Sequence, residues 1–232
     1  MNIGLLQCDH VAERFQHIAG DYPEMFGALF GTGFNLIPYD VCNGVWPASL
    51  EECDGYVCTG SRWSVYDDVP WIHDLKTFVR RAYETRTPFI GICFGHQMMA
   101  EALGGKVEKS SYGWGVGIHA LEITKNEPWM QPEQTRLNLH YMHQDQVTRL
   151  PEDSIVWGRS DHCPFAAVRV GDTMLGIQAH PEFTNEYSAA LLTDRIERIG
   201  AERVAEARTS LVHPTDETVF VPWVAEFLKN VP

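Results

Sequence analysis

Residues 91–97 read GICFGHQ and set a cysteine, Cys93, between two glycines at the end of the apolar run PFIGIC. A strand that ends there and turns straight into a helix pushes its middle side chain into an exposed, strained position. Small neighbours are then required, which accounts for Gly91 and Gly95. This is the nucleophile-elbow arrangement with sulfur in place of oxygen. The N-terminus of the following helix favours the thiolate, and the backbone N–H of Phe94 points where an oxyanion would form. A buried structural thiol is the plain alternative, because free cysteine is among the most buried residue types.

A nucleophilic thiol needs a base, and the base needs an orienting group. The chain has ten histidines, and the stretch QAHPEF (178–183) offers one at the end of an apolar run. Pro181 biases His180 towards extended geometry, and alternate residues of an extended chain face the same side. Glu182 can therefore hold the His180 ring. Taken alone, His-Pro-Glu would read as a surface turn. His96, three residues after Cys93, is expected to pack beside the sheet in a structural role. Gln97, one helical turn after Cys93, can reach the pocket mouth and bind substrate. A second oxyanion donor is sought in Thr59-Gly60-Ser61, where a glycine after a strand lets the backbone approach a ligand.

Alternating elements must position these groups. Short apolar runs at 2–8, 35–41, 55–58 and 88–93 read as strands, with Pro38 placing the second near a sheet edge. Residues 21–31 and 69–85 read as helices, each with a start signal: Asp21 as N-cap and Pro70 in the first turn. In 69–85, Ile72, Leu75, Val79 and Ala82 share one face. A helix follows Cys93 and ends at Gly104-Gly105. This rhythm predicts a three-layer α/β fold: an open, mostly parallel sheet with helices on both faces. The segments KVEKS, GVGIHALEIT, RLNLHYMH, SIVWGRS, FAAVRV and MLGIQAH then add a small antiparallel β segment, with helices again near 184–208 and 219–229. No repeat or linker divides residues 1–232, so one domain is expected. Ligands of such sheets bind beyond the carboxyl ends of the strands, where Cys93 would sit.

Composition narrows the function classes. The net charge is −13, which argues against nucleic acid or an anionic membrane as partner. The start MNIGLLQCDH lacks the basic region of a secretory signal, and six cysteines are too few for a disulfide scaffold, so a cytoplasmic protein with reduced thiols is expected. No cofactor and no metal site is expected. GWGVG (113–117) is not a dinucleotide fingerprint, Cys53 and Cys58 lack a second ligand pair, and His140 and His143 lack an acidic or cysteine partner at ligand spacing.

With GICFGHQ, the Thr-Gly-Ser loop and the late His-Pro-Glu in this arrangement, nearly the whole chain resembles the class I glutamine amidotransferases. The resemblance implies a Cys-His-Glu triad of Cys93 as nucleophile, His180 as base and Glu182 as orienter. It implies an oxyanion hole from N–H groups near Gly60-Ser61 and Phe94, and a glutamine contact through Gln97. By the same resemblance YMHQDQV (141–147) matches the family's H-x-D segment, so His143 and Asp145 would help shape the glutamine pocket. Thr59-Gly60-Ser61-Arg62 stands where many members have a Gly-Gly-Pro or Gly-Pro-Gly loop. The implied activity releases ammonia from the glutamine side chain through a γ-glutamyl thioester, with a separate synthetase subunit as the partner that would receive it. Two other functions fit the residues: a γ-glutamyl peptide hydrolase with the same triad, and a non-enzymatic protein using Cys93 as a redox sensor.

Overall fold

The computed structural model describes residues 1–230. In chain order its elements are β1 (Asn2–Leu6), α1 (Glu13–Ala19), α2 (Tyr22–Phe30), β2 (Asn35–Tyr39), β3 (Gly55–Cys58), α3 (Pro70–Glu84), β4 (Phe89–Ile92) and α4 (Phe94–Ala102). There follow β5 (Lys106–Lys109), β6 (Gly115–Ile123), β7 (Arg136–His143), β8 (Asp145–Arg149), β9 (Ser154–Arg159), β10 (Ala167–Val170) and β11 (Met174–Ile177). The chain closes with α5 (Asn185–Asp194), α6 (Ile196–Ile199), α7 (Ala201–Ser210) and α8 (Glu217–Asn230).

The main sheet runs β2-β1-β3-β4-β11-β10-β9-β6-β7. The first five strands pair in parallel. Each is short, apolar and flanked by helices, as parallel strands covered on both faces must be. Pro38 sits in β2, the edge strand, where its missing N–H costs no central ladder bond. The antiparallel part is four strands, β10, β9, β6 and β7, and it continues the same sheet. Only β5 and β8 form a separate two-stranded ribbon.

Helices cover both faces, so the expected three-layer α/β architecture is present. On one face α3 and α4 bury Ile72, Leu75, Val79, Met98 and Met99 against the sheet. On the other, α2, α5, α7 and α8 bury Phe26, Leu192, Val204, Trp223 and Phe227. Trp129 anchors that side edge-on to Trp157, Trp223 and Phe227, with ring centroids 5.7, 6.3 and 5.5 Å away.

Three local features differ from the sequence expectation. Helix α1 carries no buried residue and so gave no apolar periodicity to read. The helical stretch at 184–208 is three helices, broken at Arg195 and at Gly200, whose φ of +98° no right-handed helix can hold. Helix α8 runs through Pro222 and begins two residues before the expected start.

Helix α4 lies close on the sheet because glycines clear its path. A Cβ on Gly91 would meet the Gly95 backbone at 2.4 Å, and one on Gly95 would meet the Cys58 carbonyl oxygen at 2.5 Å. Backbone cannot yield as a side-chain tip can. Gly95→Ala is therefore expected to lower the unfolding free energy by roughly 1–3 kcal/mol, as overpacking does. Urea unfolding of the variant checks this, and an unchanged midpoint would contradict it.

Candidate active site

Parallel strands share one carboxyl edge, and β3, β4 and β11 are neighbours in the sheet. Their ends bring together three loops that are far apart in sequence. From β3 comes Thr59-Gly60-Ser61, from β4 comes Cys93, and from β11 comes Gln178 to Glu182. The register is tight: the Cys93 N–H donates to the Ile177 carbonyl at 2.8 Å, and Cys58 pairs with Gly91.

Cys93 is the N-cap of α4, with φ +50° and ψ −98°. A non-glycine residue there carries about 1–3 kcal/mol of strain, held by the ladder bond before it and by the Gln97 N–H donating to its carbonyl. The Phe94 amide is the first of α4 and has no intrahelical acceptor. The Phe94 side chain points the other way, buried against Trp71.

His180 and Glu182 are both buried, with Nδ1 and Oε1 2.7 Å apart. Phe183 stacks on the His180 ring at 4.0 Å. The His180 N–H donates to the His140 carbonyl at 2.7 Å, which ties the loop after β11 to β7. The remaining open side of the ring faces Gly60. A Cβ on Gly60 would lie 2.8 Å from His180 Cε1 and 3.8 Å from Cys93 Cβ. The imidazole, the thiol and this bare backbone therefore meet at one point. With Nδ1 turned to Glu182, Nε2 is the nitrogen left for chemistry.

Electrostatics separates the histidines. Burial alone would depress His180, but Cys93 and Glu182 overcome it and raise its pKa to about 10. His180 is therefore an imidazolium at neutral pH. Burial lowers His140 to about 4, helped by the charge on His180. Burial lowers His143 to about 3 and His96 to about 4, so both are neutral. His96 lies under the sheet, bonded to the Phe165 carbonyl at 3.0 Å, in the structural place expected for it.

A cavity of about 120 Å³ opens over Cys93, lined among others by Ser61, Ser64, Gln97, Met142, His143 and Asp145. The Asp145 carbonyl accepts from Gln97 Nε2 at 2.8 Å and pairs with His143 Nδ1 at 3.0 Å, so one backbone oxygen ties the two side chains. The Asp145 carboxylate accepts from Ser64 Oγ at 2.5 Å. The Ser61 hydroxyl donates to the Cys8 carbonyl at 2.9 Å.

Several contributors were not found from sequence. Gln178 donates to Cys93 Sγ at 3.5 Å and accepts from Gln97 at 3.1 Å. Asp9, in the loop after β1, binds the backbone and guanidinium of Arg62 and so fixes the loop after Gly60. Phe183 and Ser64 complete the set. Only the place of Gln178 just before His180 could have signalled any of them. As to metals, His10, Asp40 and Cys42 bring one ligand atom each within 4.8 Å of one another, but none lines the Cys93 cavity, and His10 is held by Asp21 and Asp40.

Gly60 generates a test that needs no substrate. In Gly60→Ala the His180 ring must move, because Glu182 and Phe183 block its other sides. Without the imidazole beside it the sulfur is a weaker nucleophile. Alkylation of the Cys93 peptide by iodoacetamide, followed by mass spectrometry, is expected to slow roughly tenfold. An unchanged rate would contradict the geometry.

Comparison with known proteins agrees with this fold. The chain is 29% identical over 201 residues to γ-glutamyl peptidase 2 of Arabidopsis thaliana, covering 84% of this chain and 81% of that one. It is 30% identical over 165 residues to the glutamine-hydrolysing GMP synthase of Thermosipho melanesiensis, covering 66% of this chain but 30% of the synthase. The crystal structure of a glutamine amidotransferase from Thermotoga maritima superposes with a TM-score of 0.76 over 98% of this chain and 99% of that one; at 19% identity this likeness speaks to the fold. No helix among the described residues is long and apolar enough to cross a membrane. The profile of class-I glutamine amidotransferases matches residues 32–198, and the chain belongs to that family.

Proposed function

We propose that the protein hydrolyses γ-glutamyl amide bonds with Cys93 as nucleophile, His180 as acid and base, and Glu182 as the group that orients His180. The observation that carries this reading is the meeting of the strained Cys93 with the Glu182-bound imidazolium across Gly60.

The steps follow from the geometry. The Cys93 thiolate attacks the γ-carbonyl carbon. The oxyanion that forms is held by the Phe94 N–H at the start of α4 and by backbone N–H at Gly60-Ser61. His180 gives its Nε2 proton to the departing amine, and a γ-glutamyl thioester remains on Cys93. Water then attacks the thioester while His180 takes its proton. Glutamate leaves and the thiolate is restored. Gln97, His143 and Asp145 shape the pocket for the glutamyl group, with Gln178 as the brace between Gln97 and the sulfur.

The leaving group separates two substrates. Ammonia from glutamine, passed to a separate synthetase subunit, is one reading. An amine from a γ-glutamyl peptide is the other. The near full-length match to a γ-glutamyl peptidase, against a partial match to a GMP synthase, favours the peptide.

Glutamate release from glutamine and γ-glutamyl dipeptides tests the proposal. Release is expected in the wild type and absent in a folded Cys93→Ala variant. Release that survives the substitution would remove Cys93 from the chemistry. Glu182→Gln is expected to lower kcat by about 10²-fold, within the range of general acid–base contributions. It also removes an anion that raises the His180 pKa. The alkaline limb of kcat/KM, set by loss of the imidazolium, then moves to lower pH. An alkaline limb that stays in place would take Glu182 out of the mechanism.

A further inference from the structure

The Cys93 cavity is basic in a protein whose net charge is −13. Its lining includes Arg62, Lys109, Arg195 and Arg198 against one carboxylate, Asp145. Arg62 is held by Asp9, and the nearby Asp194 is held by Arg14. Among the described residues Lys109, Arg195 and Arg198 form no ion pair within 4.0 Å.

The charge of the substrate can be set against this lining. A γ-glutamyl group is a zwitterion, with one α-ammonium and one α-carboxylate. It asks for one anion and one cation from the protein. Asp145 and one of the three unpaired cations meet that demand. Two cations remain, and glutamine has nothing to offer them, because its leaving group is ammonia. Unpaired guanidinium groups at a cavity mouth match a further negative charge on the leaving side of the scissile bond.

Arg195 and Arg198 are built for that task. Arg195 is the N-cap of α6 and Arg198 lies within it, and both line the cavity. The Arg198 guanidinium lies over the Trp114 ring, 5.5 Å from its centroid, and Trp114 also lines the cavity. Such a fork binds a carboxylate through paired N–H bonds. The geometry points to a subsite in which Arg195 and Arg198 hold a carboxylate on the leaving amine. The substrate is then a γ-glutamyl peptide with a free C-terminal carboxylate. This rests on the γ-glutamyl hydrolase reading above and narrows it.

The test compares three substrates: glutamine, γ-glutamyl-alanine and γ-glutamyl-alaninamide, which differs from the second only in lacking the terminal charge. The wild type is expected to prefer the acid over the amide in kcat/KM by roughly tenfold, the scale of one charge-assisted contact. Raised salt should shrink that ratio. In the double variant Arg195→Gln, Arg198→Gln the ratio should fall towards one. A structural role for the arginines would lower both substrates together and leave the ratio alone, which would overturn the subsite. Equal use of acid and amide by the wild type would overturn it without any variant. Turnover of glutamine alone would do the same and leave the hydrolase reading standing, with the basic rim then free to dock an acidic partner. Turnover of none of the three would overturn both.

Discussion

The turn between β4 and α4 holds Cys93 at φ +50°, a backbone conformation that L residues avoid, and the rest of the site is arranged to keep it there. Gly91 and Gly95 let the helix fold back onto the strand it has just left. The ladder bond to Ile177 fixes the residue from the sheet side, and the bond from Gln97 fixes it from the helix side. The same bend points the sulfur out of the sheet at the edge where β3 and β11 also end. Strain is tolerated because the surrounding backbone leaves the chain no relaxed alternative.

Charge is placed around that sulfur with equal economy. His180 sits between the Cys93 sulfur and Glu182, which together outweigh the cost of burying an imidazolium. Three other buried histidines have no such partners and are neutral. Environment, not residue type, decides which histidine can give a proton. The net negative charge of the chain makes the unpaired cations around the cavity mouth a local reversal of sign, and local reversals are where charged ligands are recognised.

The parts of the site that could be read from sequence are those whose neighbours are near in the chain. Gly91, Cys93 and Gly95 lie within five residues, and His180 and Glu182 are two apart. The parallel β-α-β half was legible for the same reason: short apolar runs, Pro38 for the edge, and Gly104-Gly105 for the end of α4. What was missed depends on pairing across the sheet. Gln178 reaches Cys93 over 85 residues, Ser64 reaches Asp145 over 81, and Arg62 reaches Asp9 over 53. The strand order β1-β3-β4-β11 makes the first and last of these contacts, and the placing of the β5-β8 ribbon beside the sheet edge makes the second; no local pattern encodes either. Likewise the late strands were visible alone, except β8, and the joining of β6, β7, β9, β10 and β11 to the main sheet was a matter of topology.

The central claim is that a γ-glutamyl group passes through a covalent bond to Cys93. It is tested most directly by quenching the enzyme in acid during turnover of a γ-glutamyl dipeptide and mapping its peptides by mass spectrometry. The account predicts that the peptide carrying GICFGHQ gains the mass of one γ-glutamyl group, and that no other cysteine peptide does. Turnover at an undiminished rate with that peptide never modified, in an enzyme quenched faster than it deacylates, would contradict it.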